Sequence, residues 1–216
     1  MNVLCIDTSS SHCSVAVAAG ERIFCHNQNL ARRHNEVLLQ ILDDLFSEAA
    51  ITPAQLDLLG FTAGPGSFTG IRMAAAVVQA MAVVAEAQVV PLATNDVLYQ
   101  TSLAATGGQA RAVCSIRSRG DLYYLCEYQA GELTQPLRLT DEPPGWLATE
   151  NQSTALLGQK PGWWPEHAAR FSEQPPDAGT MLHMAGAAHR EGLSRSAEFA
   201  LPQYFEGDSP WRKQTA

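Results

Sequence analysis

The sequence predicts an α/β protein of two lobes, with the second lobe reduced. Three observations carry that expectation. Short apolar runs alternate with segments of helical period through the first half of the chain. A glycine-rich turn, Gly64-Pro65-Gly66-Ser67-Phe68-Thr69-Gly70, joins one such run to a long apolar helix. After Thr106-Gly107-Gly108-Gln109, which reads as a linker, the strand pattern starts again. The expected division is an N-terminal lobe over 1–108 and a smaller C-terminal lobe and tail over 109–216.

Val3 to Ile6 reads as a strand that ends in Asp7-Thr8-Ser9-Ser10-Ser11. His12 to Ala18 alternates, and Ala19-Gly20-Glu21-Arg22 turns the chain into a return strand from Ile23. The opening is therefore an antiparallel meander of three strands. Arg33 to Ala50 is a helix with one wide apolar stripe of Val37, Leu38, Ile41, Leu42, Leu45 and Phe46. Thr52-Pro53 caps a short turn. Leu58 to Ala63 is a buried strand, Ile71 to Ala87 a helix, Val89 to Leu92 a strand, and Thr94 to about Ala105 another helix. In the second half, Ala112 to Ile116, Leu122 to Tyr128 and Gly131 to Leu139 read as strands. The signal weakens from Glu142, where prolines break the chain, and Ala178 to Gly192 is a last helix. The tail after Ser209 is polar and expected to be mobile.

The chain has 216 residues, 46% of them apolar, which suits a globular protein with a real core. Net charge is −8, and both halves are acidic. That balance argues against a protein that grips nucleic acid by itself, because such affinity leans on phosphate neutralisation, but it still allows a local basic patch. No signal-peptide pattern opens the sequence, and Met73 to Ala85 is too short and too interrupted, by Gln79, for a membrane span. The five cysteines form no Cys-x-x-Cys pair and read as buried thiols of a reducing compartment. Asn151-Gln152-Ser153 fits a glycosylation pattern by chance.

The glycine turn invites three tests for chemistry. A nucleotide P-loop needs a lysine after the last glycine, and the only lysines are Lys160 and Lys213. The dinucleotide fingerprint is one residue too short for Gly64-x-Gly66-x-x-x-Gly70, and Pro65 removes a backbone N–H. A serine elbow needs glycines two residues either side of Ser67, where Pro65 and Thr69 stand. Nor is there an H-E-x-x-H pair for a metal. Gly64, Gly66 and Gly70 then read as a structural pivot between strand and helix. The helix it launches is apolar nearly all round, so it is either central or covered by a partner.

Two resemblances add to this. Asp7-Thr8-Ser9-Ser10 resembles the phosphate-1 loop of the superfamily of actin, heat-shock chaperones and sugar kinases, where the acid positions metal-bound water. That loop usually carries a glycine, and this one has none; an ordinary hairpin loop is the alternative. Secondly, Ile6-Asp7-Thr8-Ser9 with Ser14-Val15-Ala16-Val17, the helix start Arg33-His34-Asn35-Glu36, and above all Gly64 to Arg72 are similar to the bacterial tRNA threonylcarbamoyladenosine biosynthesis family TsaB, or YeaZ. The likeness is clear over about 1–128. Ile116-Arg117-Ser118-Arg119 and Pro202-Gln203-Tyr204-Phe205-Glu206 depart from the family pattern.

The resemblance implies an actin- and sugar-kinase-like fold of two ribonuclease H-like lobes. It implies a non-catalytic, inactive paralogue that pairs with the transferase TsaD, which acts on adenosine 37 of tRNAs reading codons that begin with A. An ATPase, TsaE, completes the assembly; tRNA is met only through the complex, and no membrane is involved. The family pairs through its first two helices, and homodimerises through a similar surface when alone. Residues expected at that surface are Arg33, His34, Leu38, Ile41, Leu42, Leu45, Arg72, Met73, Val77 and Met81. No catalytic residue, metal or cofactor of its own is expected; Asp7, Thr8 and Ser9 are the weak nucleotide-facing candidates, and ATP with Mg²⁺ serves the assembled complex. The expected location is the cytoplasm. An ATP-binding small-molecule kinase or ATPase using Asp7 is the alternative, and a peptidase ranks last for want of a nucleophile, base and acid.

Overall fold

A computed structural model describes residues 1–30, 33–106, 111–146, 154–164 and 170–205. The linker positions 107–109, the segment 151–153 and the tail from 206 lie outside these described residues.

The first lobe is a sheet of β1 (Asn2–Asp7), β2 (His12–Ala19), β3 (Arg22–Asn29), β4 (Leu58–Gly64) and β5 (Gln88–Ala93) in the order β3-β2-β1-β4-β5. The first three strands are antiparallel, and β4 and β5 run parallel to β1. The parallel strands are almost wholly apolar because they are covered on both faces. One face carries α1 (His34–Ala49) and α2 (Phe68–Ala85).

The second lobe repeats this plan. Strands β6 (Arg111–Arg117), β7 (Tyr123–Gln129), β8 (Glu132–Thr140), β9 (Thr154–Gly158) and β10 (Arg170–Ser172) lie in the order β10-β9-β6-β7-β8. Read from the β8 edge, this is the same order and the same mix of antiparallel and parallel pairs as in the first sheet. The fold is thus the two-lobed architecture of actin and the sugar kinases, with the second lobe reduced. The reduction is physical. Where the first lobe sets α1 and α2, the outer face of the second sheet meets Trp146, Trp163 and Trp164, packed on Val113, Leu125 and Leu156. Three large rings cover what two helices cover elsewhere. Trp146 also donates its indole N–H to Glu127 at 3.0 Å, and Arg111 stacks on its ring at 3.6 Å.

The helices ignore the expected border at 108/109. α3 (Thr94–Thr106) sends Leu98 and Tyr99 into the core of the second sheet. α4 (Ala178–Arg190) returns to the first sheet, where Ala178, Met181, Leu182 and Ala185 pack on Val3, Cys5 and Leu58. The division at 1–108 and 109–216 therefore separates the two sheets but not the two packed bodies.

Three further expectations are corrected. α2 begins at Phe68 and runs 18 residues, long and apolar enough by composition alone to cross a membrane, although one stripe of it is packed on β4. Cys25 is exposed on the outer strand β3, while the other four thiols are buried. The short strands β9 and β10 gave no legible signal between the prolines.

Candidate functional site

Two loops meet at the ends of β1 and β4. Asp7 closes β1 and is wholly buried. Its Oδ1 accepts from the Ser9 hydroxyl at 2.6 Å, the Thr62 hydroxyl at 2.6 Å and the Ser9 N–H at 3.1 Å. Its Oδ2 is buried with no partner among the described residues. Burial pushes this carboxyl above the ordinary aspartate range, against the pull of the Ser9 and Thr62 hydrogen bonds and the charge of His34.

The glycine turn is pressed onto this loop. Ser67 N–H donates to the Ser9 carbonyl at 2.7 Å, and the Thr8 hydroxyl donates to the Gly70 carbonyl at 2.8 Å. A Cβ on Gly66 would stand 2.5 Å from the Ser9 carbonyl oxygen. Gly64 has φ +127°, and a Cβ there would lie 2.8 Å from the Gln203 carbonyl oxygen. These glycines serve close backbone approach as well as reversal. Ser67 caps α2 by accepting from Gly70 N–H at 3.3 Å. Of the nucleotide-facing candidates, Thr8 spends its hydroxyl in the weld between the two loops, Asp7 Oδ1 is held by Ser9 and Thr62, and Ser9 also lines the space between the lobes.

A third segment joins them. Gln203 N–H donates to the Ala63 carbonyl at 2.8 Å, and Tyr204 accepts from Arg72 Nε at 2.8 Å. The Arg72 guanidinium lies 3.3 Å over the Phe68 ring. Phe205 reaches the second lobe, 6.0 Å from the Tyr124 ring.

Between the lobes lies a cleft of about 770 Å³. Ser10, Ser11 and His34 line it from one side, the first turn of α2 from another, and Arg117 and Arg119 from the β6–β7 turn. A smaller chamber of about 50 Å³ shares Ser9, Ser10, Ser11 and Gln159 with it. Thr94 and Ser115 line that chamber, and their hydroxyls are buried without partners among the described residues.

The expected partner surface is redrawn. Leu38, Ile41, Leu42 and Leu45 are buried in the first lobe's own core rather than exposed on its surface. His34 is also buried; its Nε2 donates to the His12 carbonyl at 3.0 Å. Met73, Val77 and Met81 are half-buried at the edge of the core, and Arg33 and Arg72 are exposed. The uncovered apolar side chains are ones the sequence reading missed: Leu39 on α1, and Ala76, Ala80, Val83 and Val84 on α2. Val83 and Val84 are 64% and 65% exposed, against 0% for Val78 on the inner side. Leu39 stands off the α1 stripe and was visible by phase. Uniformly apolar α2 carries no phase signal.

The architecture defines a two-lobed α/β protein of the actin and sugar-kinase type, its first-strand acid enclosed. The chain belongs to the TsaD family, described as tRNA N6-adenosine threonylcarbamoyltransferase, whose model matches residues 26–135. Over nearly its whole length it is similar to the tRNA threonylcarbamoyladenosine biosynthesis protein TsaB of Escherichia coli K12, at 27% identity over 99% of this chain and 98% of that protein. The TsaB of Haemophilus influenzae is 26% identical over 99% of this chain and 97% of its own length. The solved structure of YeaZ from Pseudomonas aeruginosa superposes with a TM-score of 0.76, at 28% identity, covering 94% of this chain and 99% of that one.

Proposed function

We propose that this chain is a non-catalytic scaffold subunit that stabilises and activates a TsaD transferase for threonylcarbamoylation of adenosine 37 in tRNAs reading ANN codons. The names of the full-length relatives, TsaB in two bacteria, support the pathway. One observation carries the scaffold reading: the uncovered apolar face of α2, with Val83 and Val84 outward and the small residues Ala76 and Ala80 exposed in the turns before them. Such a face loses its contact with water when another helix pair covers it. Small side chains let the two backbones approach closely. In this reading the chain works in the cytoplasm, uses no cofactor of its own, pairs with TsaD, and adds the ATPase TsaE in the larger assembly, which uses ATP and Mg²⁺. Alone it pairs with itself through the same face. The enclosed Asp7 carboxyl favours this reading over a kinase or ATPase, whose acid must reach a metal-bound water.

The test is co-purification with TsaD and a tRNA modification assay using V83E/V84E. The variant is expected to fold, to lose the partner and to lose support of modification. Retention of TsaD by the folded variant would remove this face from the interface.

A further inference from the structure

We propose that the cleft between the lobes binds backbone phosphates of a single-stranded RNA segment. The inference rests on the reading above, which ties the chain to tRNA, and it names the contact this subunit makes itself.

The argument begins with charge. The chain carries 22 Asp and Glu against 14 Lys and Arg. In so acidic a molecule a wall of the size of this cleft should carry acids by chance. Among the described residues that line it there is none, whereas Arg117 and Arg119 are both present. Glu173 borders only the smaller chamber. Apart from His34, the remaining polar side chains of the lining are hydroxyls and amides, among them Ser10, Ser11, Thr69, Asn35 and Gln159. His34 adds a ring 92% withdrawn from solvent, by its 8% exposure. Its Nε2 is committed to the His12 carbonyl.

The rim favours a nucleic-acid strand over a small anion. Phe68 lines the cleft at the start of α2, and Tyr204 lies beside it with rings 6.3 Å apart. Arg72 is held between the two, 3.3 Å from the Phe68 ring and 5.2 Å from that of Tyr204. Tyr204 remains exposed beside the cleft. A cationic, hydroxyl-lined groove with aromatic faces at its edge is the chemistry that tracks a backbone while bases stack. The 770 Å³ cleft holds more than one phosphate, which suits a strand running through it.

The test is fluorescence anisotropy of the full chain with a labelled RNA stem-loop, measured from low to moderate salt. Arg117 closes β6, its Nε donating to the Gly120 carbonyl at 3.3 Å, and Arg119 follows on the turn; both are exposed, so R117A/R119A is expected to keep the fold. We expect R117A/R119A to weaken binding about tenfold at low salt, and the slope of log K against log salt to fall by about 1.4, or 0.7 for each lost phosphate contact. R190A, on the exposed end of α4, serves as the charge control and is expected to bind like the unaltered chain. Equal RNA affinity for the chain and R117A/R119A, or no RNA binding, overturns the proposal. So does binding of inorganic phosphate or AMP, read by calorimetry, in the absence of any RNA binding, which would assign the cleft to a small anion. TsaD co-purification is read in parallel. A chain that retains TsaD and ignores RNA loses this inference alone; a chain that binds RNA and ignores TsaD loses the scaffold reading.

Discussion

Gly70 and Thr8 are in such close approach that a Cβ on Gly70 would stand 1.8 Å from the Thr8 carbonyl oxygen. The contact is backbone to backbone, with the Thr8 hydroxyl returning a bond to the Gly70 carbonyl. No rotamer change can relieve it. G70A must therefore push apart the β1 loop and the first turn of α2. Overpacking of this kind costs about 3 kcal/mol, and in a chain of this size the midpoint should fall by about 10 °C. Thermal unfolding followed by circular dichroism checks this; an unchanged midpoint would mean the two loops are not welded.

Asp7 gives a signed pH dependence. Its carboxyl titrates above the usual value because it is buried, so the folded state holds a proton that the unfolded state has lost. Stability from this group is full below the unfolded pKa of about 3.9 and declines as pH rises through the folded value. D7N carries no such proton. Urea unfolding from pH 4 to 7 should show the unaltered chain losing stability relative to D7N as pH rises; parallel curves would show that Asp7 titrates alike in both states.

Leu42 and Leu39 are three positions apart on α1, yet one is 2% and the other 67% exposed. L42A opens a cavity in the first lobe and should cost about 3 kcal/mol. L39A should leave stability within about 0.5 kcal/mol and weaken association. Denaturant midpoints read the first effect, and sedimentation with and without TsaD reads the second.

Glu127 is a buried carboxylate that accepts from Arg111 at 2.9 Å and from the Trp146 indole. E127A removes an acceptor that both groups share. A loss of about 3 kcal/mol is expected, with a red shift of tryptophan emission as Trp146 meets water. Emission unchanged in wavelength would show that other contacts hold the ring.

Much of the first lobe is legible because its signals are local. The alternation of His12 to Ala18, the α1 stripe and the glycine turn each specify their own element. β9 is five residues, Thr154–Gly158, and entirely buried; without alternation it resembles any apolar loop. The resemblance implies pairing through both α1 and α2, but a stripe on α1 says which side is apolar, not what covers it. Here the chain's own sheet covers Leu38, Ile41, Leu42 and Leu45, and the side left to others carries Leu39. The reason for Gly66 and Gly70 was hidden for a related cause. Their neighbours, Thr8 and Ser9, lie about sixty residues away in sequence.

The traded helices make each half the lid of the other. A cut between 106 and 111 would leave the first fragment with Leu98 and Tyr99 bare, and the second with Met181, Leu182 and Ala185 bare. Neither piece should persist alone. Mixed, they should find one another, because each carries the stopper that the other lacks. Heating the intact chain should likewise give one transition rather than two, since the lobes cannot melt in turn without first being unlaced.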